Sequence, residues 1–449
     1  MVTYQDLLEV GENEYNRRAF VRKAINAHMS TPLYRTAVSA YEYDRKRNST
    51  IMRYEKTLRT VTGRIVPDRY SPNHKTTRNF FHYFVTQQNQ FLLGNGVTWG
   101  DPATGKKLGR DFDTRLQEAG KHALVGAVSF GFWNYDHLEV FTVTEFVPLP
   151  DEETGALRAG IRWWQIDQTK PMRATLYEED GYTEYIWRKD SPEGEILHEK
   201  QRYLQVTVAS PADGVQIMQW KNYPTFPIVP LWANPQHQSE LVGIQEQIDA
   251  YDLIKNGFLN DLDTAQVYWI IKNAGGMDDA DMAYFLERLN MLKIADVDDG
   301  TSAEPHTVEI PYDAREKILD RLEADLYKDY MALNVDEIKG GAVTATQIEA
   351  AYEPMNSKAD LYEYCVHDFL DGILAAAGIE DEATFTRSKL INVSESVQTV
   401  LQCAGTLPDD YIVTKILTLL GDGDQAEEIL RQIDVEAMNR VSVETPDEE

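Results

Sequence analysis

The chain of 449 residues holds two cysteines, Cys365 and Cys403. Two thiols make neither a disulfide framework nor a cysteine-based metal site. A reducing cytoplasm is the expected place of synthesis. Long apolar runs are absent as well: none approaches the roughly 20 residues that span a bilayer. The opening, "MVTYQDLLEVGENEYNRRAF", has no basic stretch followed by an apolar one, so no signal peptide is expected. Positive charge is scarce. Lys+Arg number 44 against 73 Asp+Glu, a net charge of −29. Such a chain repels nucleic acid on average, because phosphate affinity rests on Lys and Arg. It can still handle DNA where contact must stay loose; solubility is the plain reading of the same charge. Catalytic signatures are missing too. There is no H-E-x-x-H, and neither His74 with His82 nor His122 with His137 has zinc-ligand spacing. No G-x-S-x-G marks a nucleophile.

What is present is the composition of a folded protein, 43% hydrophobic and 10% aromatic. Its length exceeds one ordinary core, so two to four structural regions are expected. Residues 1–60 read as helical and rich in Arg and Tyr. "TRNFFHYFVTQQNQFLL", 77–93, reads as a helix stopped by Gly94-Asn95-Gly96. Another helix is expected over 111–129. From 132 to 231 the texture turns to alternating strands, among them "HLEVFTVTEFVPL", "AGIRWWQID" and "ATLYEEDGYTEYIWR", punctuated by Asp, Gly and Pro. Helical texture then resumes. Leu241, Ile244, Ile248, Tyr251, Ile254, Phe258 and Leu262 share one face of a helix expected over 239–266. Asp249, Asn256, Asn260 and Asp263 lie on the other side. A short α/β insert follows at 267–309, then a helix at 312–332 and the loop "LNVDEIKGG". A helix opening at "AVTATQIE" should run to Gly378 and kink at Pro354, where proline removes a backbone bond and crowds the preceding turn. Residues 380–437 read as helical, and the tail as acidic.

Three stretches suggest chemistry. "GDPATGKKLG", 100–109, matches G-x-x-x-x-G-K, most of a phosphate cradle. The Ser/Thr that would hold Mg²⁺ is Lys107, and Pro102 deletes one cradle N–H. Asp101-Pro102 with a later Gly105 points instead to a hairpin turn beside the strands, with no ATP binding. "GDGDQA", 421–426, resembles a dinucleotide loop, but Asp422 and Asp424 would repel pyrophosphate; helix-loop-helix fits better. Asp278, Asp279 and Asp281, with Asp296, Asp298 and Asp299, could hold two Mg²⁺ in a nuclease-like site. In a chain this acidic, solvated turns are the default. Neither a metal nor a cofactor is called for.

The order of parts says more than any motif. "NFFHYFVTQQNQFLLGNGVTW", "GAVSFGFWNYDHLEVFTVTEFVPLPDEETGALRAGIRWWQID", "FPIVPLWANPQHQSELVGIQEQIDAYDLIKNGFLNDLDT" and "FTRSKLINVSESVQTVLQCAGTLPDDYIV" occur in that sequence. In them, from Thr77 to Asp434, the chain resembles portal proteins of tailed double-stranded DNA bacteriophages of the siphovirus type. The loop before the kinked helix departs from the family, which often has Asn and Ser-Gly where this chain has "KGGAVTATQI".

The resemblance implies an α+β portal fold: N-terminal helices and a β-rich wing at 1–238, a stem helix at 239–266, a clip at 267–309 and a second stem helix at 310–333. A tunnel loop at 334–343, a kinked wing helix at 344–378 and a helical crown with acidic tail at 379–449 complete it. It also implies a non-enzymatic ring of twelve copies at one capsid vertex of the virion. DNA would enter and leave loosely through the ring. Terminase large subunit, head–tail connector, major capsid and scaffolding proteins are the implied partners. Asp336, Glu337, Lys339, Gly340, Gly341 and Thr344 would line the DNA channel; an ordinary helix–helix turn is the plain alternative. Trp269, Met277, Met282 and Phe285 would be clip contacts or a small local core. A metal-dependent nuclease, or an acidic viral adaptor that binds only proteins, are the competing readings.

Overall fold

The computed structural model describes residues 2–59, 63–69, 71–209, 216–263, 267–272, 302–307, 312–335, 345–388, 400–403, 405–420 and 428–433, with isolated positions 278, 280, 281, 284, 397 and 426. Helices α1 (Tyr4–Val10), α2 (Glu14–Met29), α3 (Pro32–Asp44) and α4 (Ser49–Arg53) open the chain. Their boundaries are written in the capping residues. Thr3 and Asp6 form a reciprocal capping box, Asn13 accepts the Tyr15 and Asn16 N–H groups, and Thr31 caps a helix that starts with proline. Strands β1 (Thr57–Arg59) and β2 (Ile65–Pro67) form a hairpin. Then come α5 (Phe80–Leu93), β3 (Val97–Trp99), α6 (Pro102–Leu108) and α7 (Phe112–Gly126).

β4 (Val128–Asn134) and β5 (His137–Thr142) follow as a hairpin. The chain then leaves on an antiparallel meander of β6 (Phe146–Pro150), β7 (Leu157–Trp164), β8 (Met172–Glu178), β9 (Gly181–Trp187) and β10 (Glu195–Gln201). A ribbon of β11 (Leu204–Ala209) and β12 (Gln216–Lys221) extends the excursion. β13 (Ile228–Trp232) returns to pair with β4, so β4 is the centre of a three-stranded sheet. The run "HLEVFTVTEFVPL" is therefore two strands, β5 and β6, in different sheets. The turn at Thr142–Glu145, where the Glu145 N–H bonds the Thr142 carbonyl, separates them.

The remaining elements are α8 (Gln245–Asp263), the antiparallel pair of β14 (Val267–Lys272) and β15 (Ser302–Thr307), α9 (Tyr312–Tyr330), α10 (Ala345–Ala377), β16 (Ala383–Phe385) and α11 (Asp409–Leu420). β16 pairs with β3, Val97 opposite Phe385. Arg387 then ties this strand's exit to α10, bonding Asp360 and, at 2.7 Å, Glu363.

Four apolar cores hold the described residues together, the smallest around Phe91, Leu333, Tyr352, Met355 and Ala359. The largest gathers α3, α5, α7 and α10 around the three-stranded sheet and takes in Ile248 and Tyr251 of α8 with Leu326 and Tyr330 of α9. Phe84 of α5 stacks on Tyr330 at 4.9 Å between ring centres, so the end of α9 is anchored in that core. A second core lies between α1–α2 and the meander: Phe20, Val21, Ala24 and Ile25 against Val147, Leu149, Ile161 and Leu176. A third, aromatic core joins the sheets through Phe130, Phe132, Phe141, Phe146 and Tyr177. Gly160 is required there, because a Cβ would penetrate the Phe146 ring.

Candidate functional site

α8 and α9 run side by side in opposite directions. Arg315 binds Asp261 at 2.5 Å, the Tyr251 hydroxyl reaches Glu323 at 3.4 Å, and Gln247 bonds Asp329. Phe258 meets Tyr312 edge to face at 5.5 Å. Between them in sequence stands the antiparallel pair β14–β15, so the helices bracket a small insert.

The helix begins at Gln245 rather than 239, and its polar face is not turned to water. Asp252, Asn256 and Asn260 are 0%, 1% and 3% exposed. They form a ladder along one side of α8 that grips the extended segment 74–78. Asp252 accepts from the Arg78 N–H at 3.0 Å and from the Asn48 amide at 2.5 Å. Asn256 accepts from both the N–H and the hydroxyl of Thr76, at 2.7 and 2.9 Å, and donates to the Thr76 carbonyl at 2.6 Å. Asn260 accepts from the His74 N–H at 2.7 Å, and the His74 ring reaches Asp263 at 2.5 Å. One turn earlier, Asp249 takes the Tyr43 and Thr50 hydroxyls at 2.5 and 2.7 Å. The helix thus does for an extended chain what a neighbouring strand would do. Burial pushes the Asp252 carboxyl up to about 6, against the pull of the Asn48 and Arg78 hydrogen bonds.

The ladder was half-visible in sequence. Asn256 and Asn260 share a face with Asp252 at i, i+4 spacing, but spacing does not name what covers that face. Conversely, the expected apolar stripe is covered less and less toward its end, with Ile254 and Phe258 half-buried. Ile248 and Tyr251 are buried, whereas Leu262 is 49% exposed. On α9 the exposures of Tyr312 and Ile318 are 47% and 49%.

The channel-loop residues Asp336, Glu337, Lys339, Gly340, Gly341 and Thr344 lie outside the described residues, as do Met277, Met282 and Phe285. Trp269 is in β14, paired with Pro305 of β15. Pro354 is an exposed residue of α10, and the helix runs on through it to Ala377, with Gly378 in the left-handed conformation just after. Of the candidate metal carboxylates, Asp278 accepts the N–H groups of Ala280 and Asp281 at 2.9 Å, the part of a helix cap. Asp279, Asp296, Asp298 and Asp299 lie outside the described residues. Among the described residues no three His, Cys, Asp or Glu converge as metal ligands, and no helix is long and apolar enough to cross a membrane.

The stretch at 100–109 corrects the expectation of a hairpin turn. It forms helix α6, with Asp101 accepting the Ala103 N–H as N-cap and Pro102 in the first turn. Asp-Pro suits a helix start as well as a turn, because both leave the first N–H groups without partners. Its neighbours are β3 and β16, not the five-stranded meander. The Asp381 carboxylate bonds the Asp101 N–H at 3.1 Å. A negative charge therefore sits where a phosphate cradle would need a positive field.

An α+β body carrying a helix pair that brackets a small insert, with a β meander and further helices in this order, is the fold class of a phage portal subunit. The family model described as "Phage portal protein, SPP1 Gp6-like" matches residues 34–437, and the chain belongs to that family. It is 24% identical over 421 residues to the portal protein of Bacillus phage SPP1, covering 85% of this chain and 79% of that one. With the portal protein of Clostridium phage phiCD119 it shares 28% identity over 198 residues, 42% of this chain and 44% of the relative. Among solved structures it is similar to a chain in the virion of a native gene transfer agent particle. The TM-score is 0.42 and the identity 12%, over 76% of this chain and 89% of that one.

Proposed function

We propose that copies of this portal protein close into a ring at one capsid vertex, through which double-stranded DNA is packaged and later ejected. In this reading α8 and α9 are the stem, the meander belongs to the wing, and 267–309 is a clip that docks terminase and head–tail connector proteins through Trp269, Met277, Met282 and Phe285. Capsid and scaffolding proteins contact the assembled ring. The observation that carries the reading is the antiparallel pair α8–α9 that brackets the insert, with Leu262, Tyr312 and Ile318 on it each close to half exposed. A head-to-tail interface that closes on itself would cover these side chains in every copy. The charge of −29 suits a conduit that must not grip phosphate. No catalysis is assigned; the ATP-driven motor belongs to a partner. In this reading residues 334–343, with Lys339 as their one base, are the channel loop.

Negative-stain microscopy of the purified protein tests the ring: closed rings are expected, and a population without rings at any concentration overturns it. Leu262→Asp with Ile318→Asp should leave folded single subunits. Deleting residues 339–341 should preserve rings and impair packaging; lost assembly would make that segment structural instead.

A further inference from the structure

α9 ends in an unusual way. Met331 takes the left-handed conformation, φ 63°, that glycine normally supplies. The Met331 N–H bonds the Lys328 carbonyl and the Ala332 N–H bonds the Tyr327 carbonyl, at 3.1 and 2.9 Å, closing the helix. A side chain held there is strained, and such strain persists only where the surroundings fix the backbone. Two side chains from other elements do so. The Gln87 amide of α5 acts like one residue of a strand: its oxygen accepts the Leu333 N–H and its nitrogen donates to the Leu333 carbonyl, both at 3.0 Å. Lys358 of α10 donates to the Tyr330 carbonyl at 2.9 Å, and its ammonium lies 3.3 Å from the centre of the Tyr330 ring. That carbonyl is one of the group a helix leaves unpaired at its C-terminus, where a cation is favoured.

The ammonium is itself held. Glu240, in the link between β13 and α8, binds Lys358 at 2.6 Å, and the two side chains are 15% and 11% exposed. The other Glu240 oxygen accepts from the Asn234 amide at 2.9 Å, and the Glu240 N–H bonds the Leu124 carbonyl of α7 at 3.1 Å. The Tyr330 hydroxyl donates to Gln88 at 2.7 Å. α5 and α10 thus hold the few residues by which the chain leaves α9, with the β13–α8 link and α7 behind Lys358. A buried ion pair is a poor source of net stability but a good device for fixing one arrangement.

We propose that Lys358, held by Glu240, and Gln87 form a lock that sets the heading of the chain where it leaves the second stem helix, joining stem to wing as one mechanical piece. Lys358 is then a positioning residue for the DNA conduit. This rests on the portal reading above and adds to it a residue pair that family membership does not assign.

The test compares Lys358→Met, Lys358→Arg and the neutral double variant Glu240→Gln with Lys358→Met. Each is assayed in the full chain for rings by negative stain, for amide exchange at residues 331–333, and for DNA-filled capsids in a phage lacking its own portal gene. Lys358→Met should raise exchange at 331–333 about 30-fold, with amides of the five-stranded sheet unchanged, and cut filled capsids at least tenfold. Lys358→Arg, which keeps the charge and a donor, should restore both. If Lys358→Met fails to fold because Glu240 is stranded, the double variant removes that stranded charge. It should form rings yet keep fast exchange and poor filling. Unchanged exchange at 331–333 in Lys358→Met, or a double variant that fills capsids like wild type, overturns the lock. Failure of the portal reading looks different: the wild-type chain itself would make no rings.

Discussion

Asn256→Ala isolates the grip of α8 on segment 74–78. The substitution removes three hydrogen bonds to Thr76, at 2.6, 2.7 and 2.9 Å. A typical net value is about 1 kcal/mol per bond, so the segment should loosen by about 3 kcal/mol. Thr76 is exposed, and water can take over part of its bonding, which makes this an upper figure. At 1.4 kcal/mol per factor of ten, the loss corresponds to roughly a hundredfold rise in local opening. Hydrogen exchange followed by mass spectrometry reads it directly, in a peptide spanning residues 73–80. The amides of His74, Thr76 and Arg78 should exchange tens of times faster, while those of β7 and β8 keep their wild-type rates. An unchanged rate at 74–78 would refute the claim that the ladder, rather than the apolar contacts, holds this segment.

Asp252 makes the same region sensitive to pH. Its carboxyl is raised from 3.8 to about 6 by burial, so the folded chain holds the proton more tightly than the unfolded one. The resulting stability is present in full below about pH 4 and is lost as pH rises through 6, an effect of up to about 3 kcal/mol. Asp252→Asn should flatten that slope in melts recorded from pH 4 to 7; an undiminished slope would assign the titration elsewhere. Gly120 sits where α5, α7 and α10 cross. A Cβ there would overlap the Tyr362 hydroxyl and Asn89 Oδ1 and lie 2.8 Å from Leu93 Cδ1. Gly120→Ala should cost about 3 kcal/mol, from overpacking plus the disturbed Tyr362–Asn89 bond, and appear as a melting point lowered by several degrees. ATP titrated against the full chain should show no binding; affinity lost in Lys106→Ala would overturn the assignment of α6 as a plain capped helix.

Elements with strong local signals were legible. The helix expected up to Gly378 ends at Ala377, because the left-handed glycine that stops it is a local property. The helix read over 77–93 is found at Phe80–Leu93. The strand texture of 132–231 is the meander and its neighbours, although no local feature told β5 from β6 as members of different sheets. The stretch at 100–109 is a helix and not the expected turn because Asp-Pro opens turns and helices alike. The decisive partner, Asp381, lies some 280 residues further along the chain. Gln87, Glu240 and Lys358 gave no signal at all: each is an ordinary polar residue until three distant elements meet.

By itself the sequence determined the surplus of negative charge, and the family, through the order of its stretches. It also set the periodicity of α8, hence which residues share each of its faces. Only the tertiary structure decided which face is covered. The polar one is buried against 74–78 because its amides and carboxylates there replace water with the unpaired groups of an extended chain. On the apolar one Ile254 and Phe258 are half-buried, Phe258 against Tyr312 of α9, and Leu262 at its end is exposed. Local spacing fixes direction around a helix axis; what lies in that direction depends on contacts between residues nearly two hundred positions apart, and those exist only once the chain has folded.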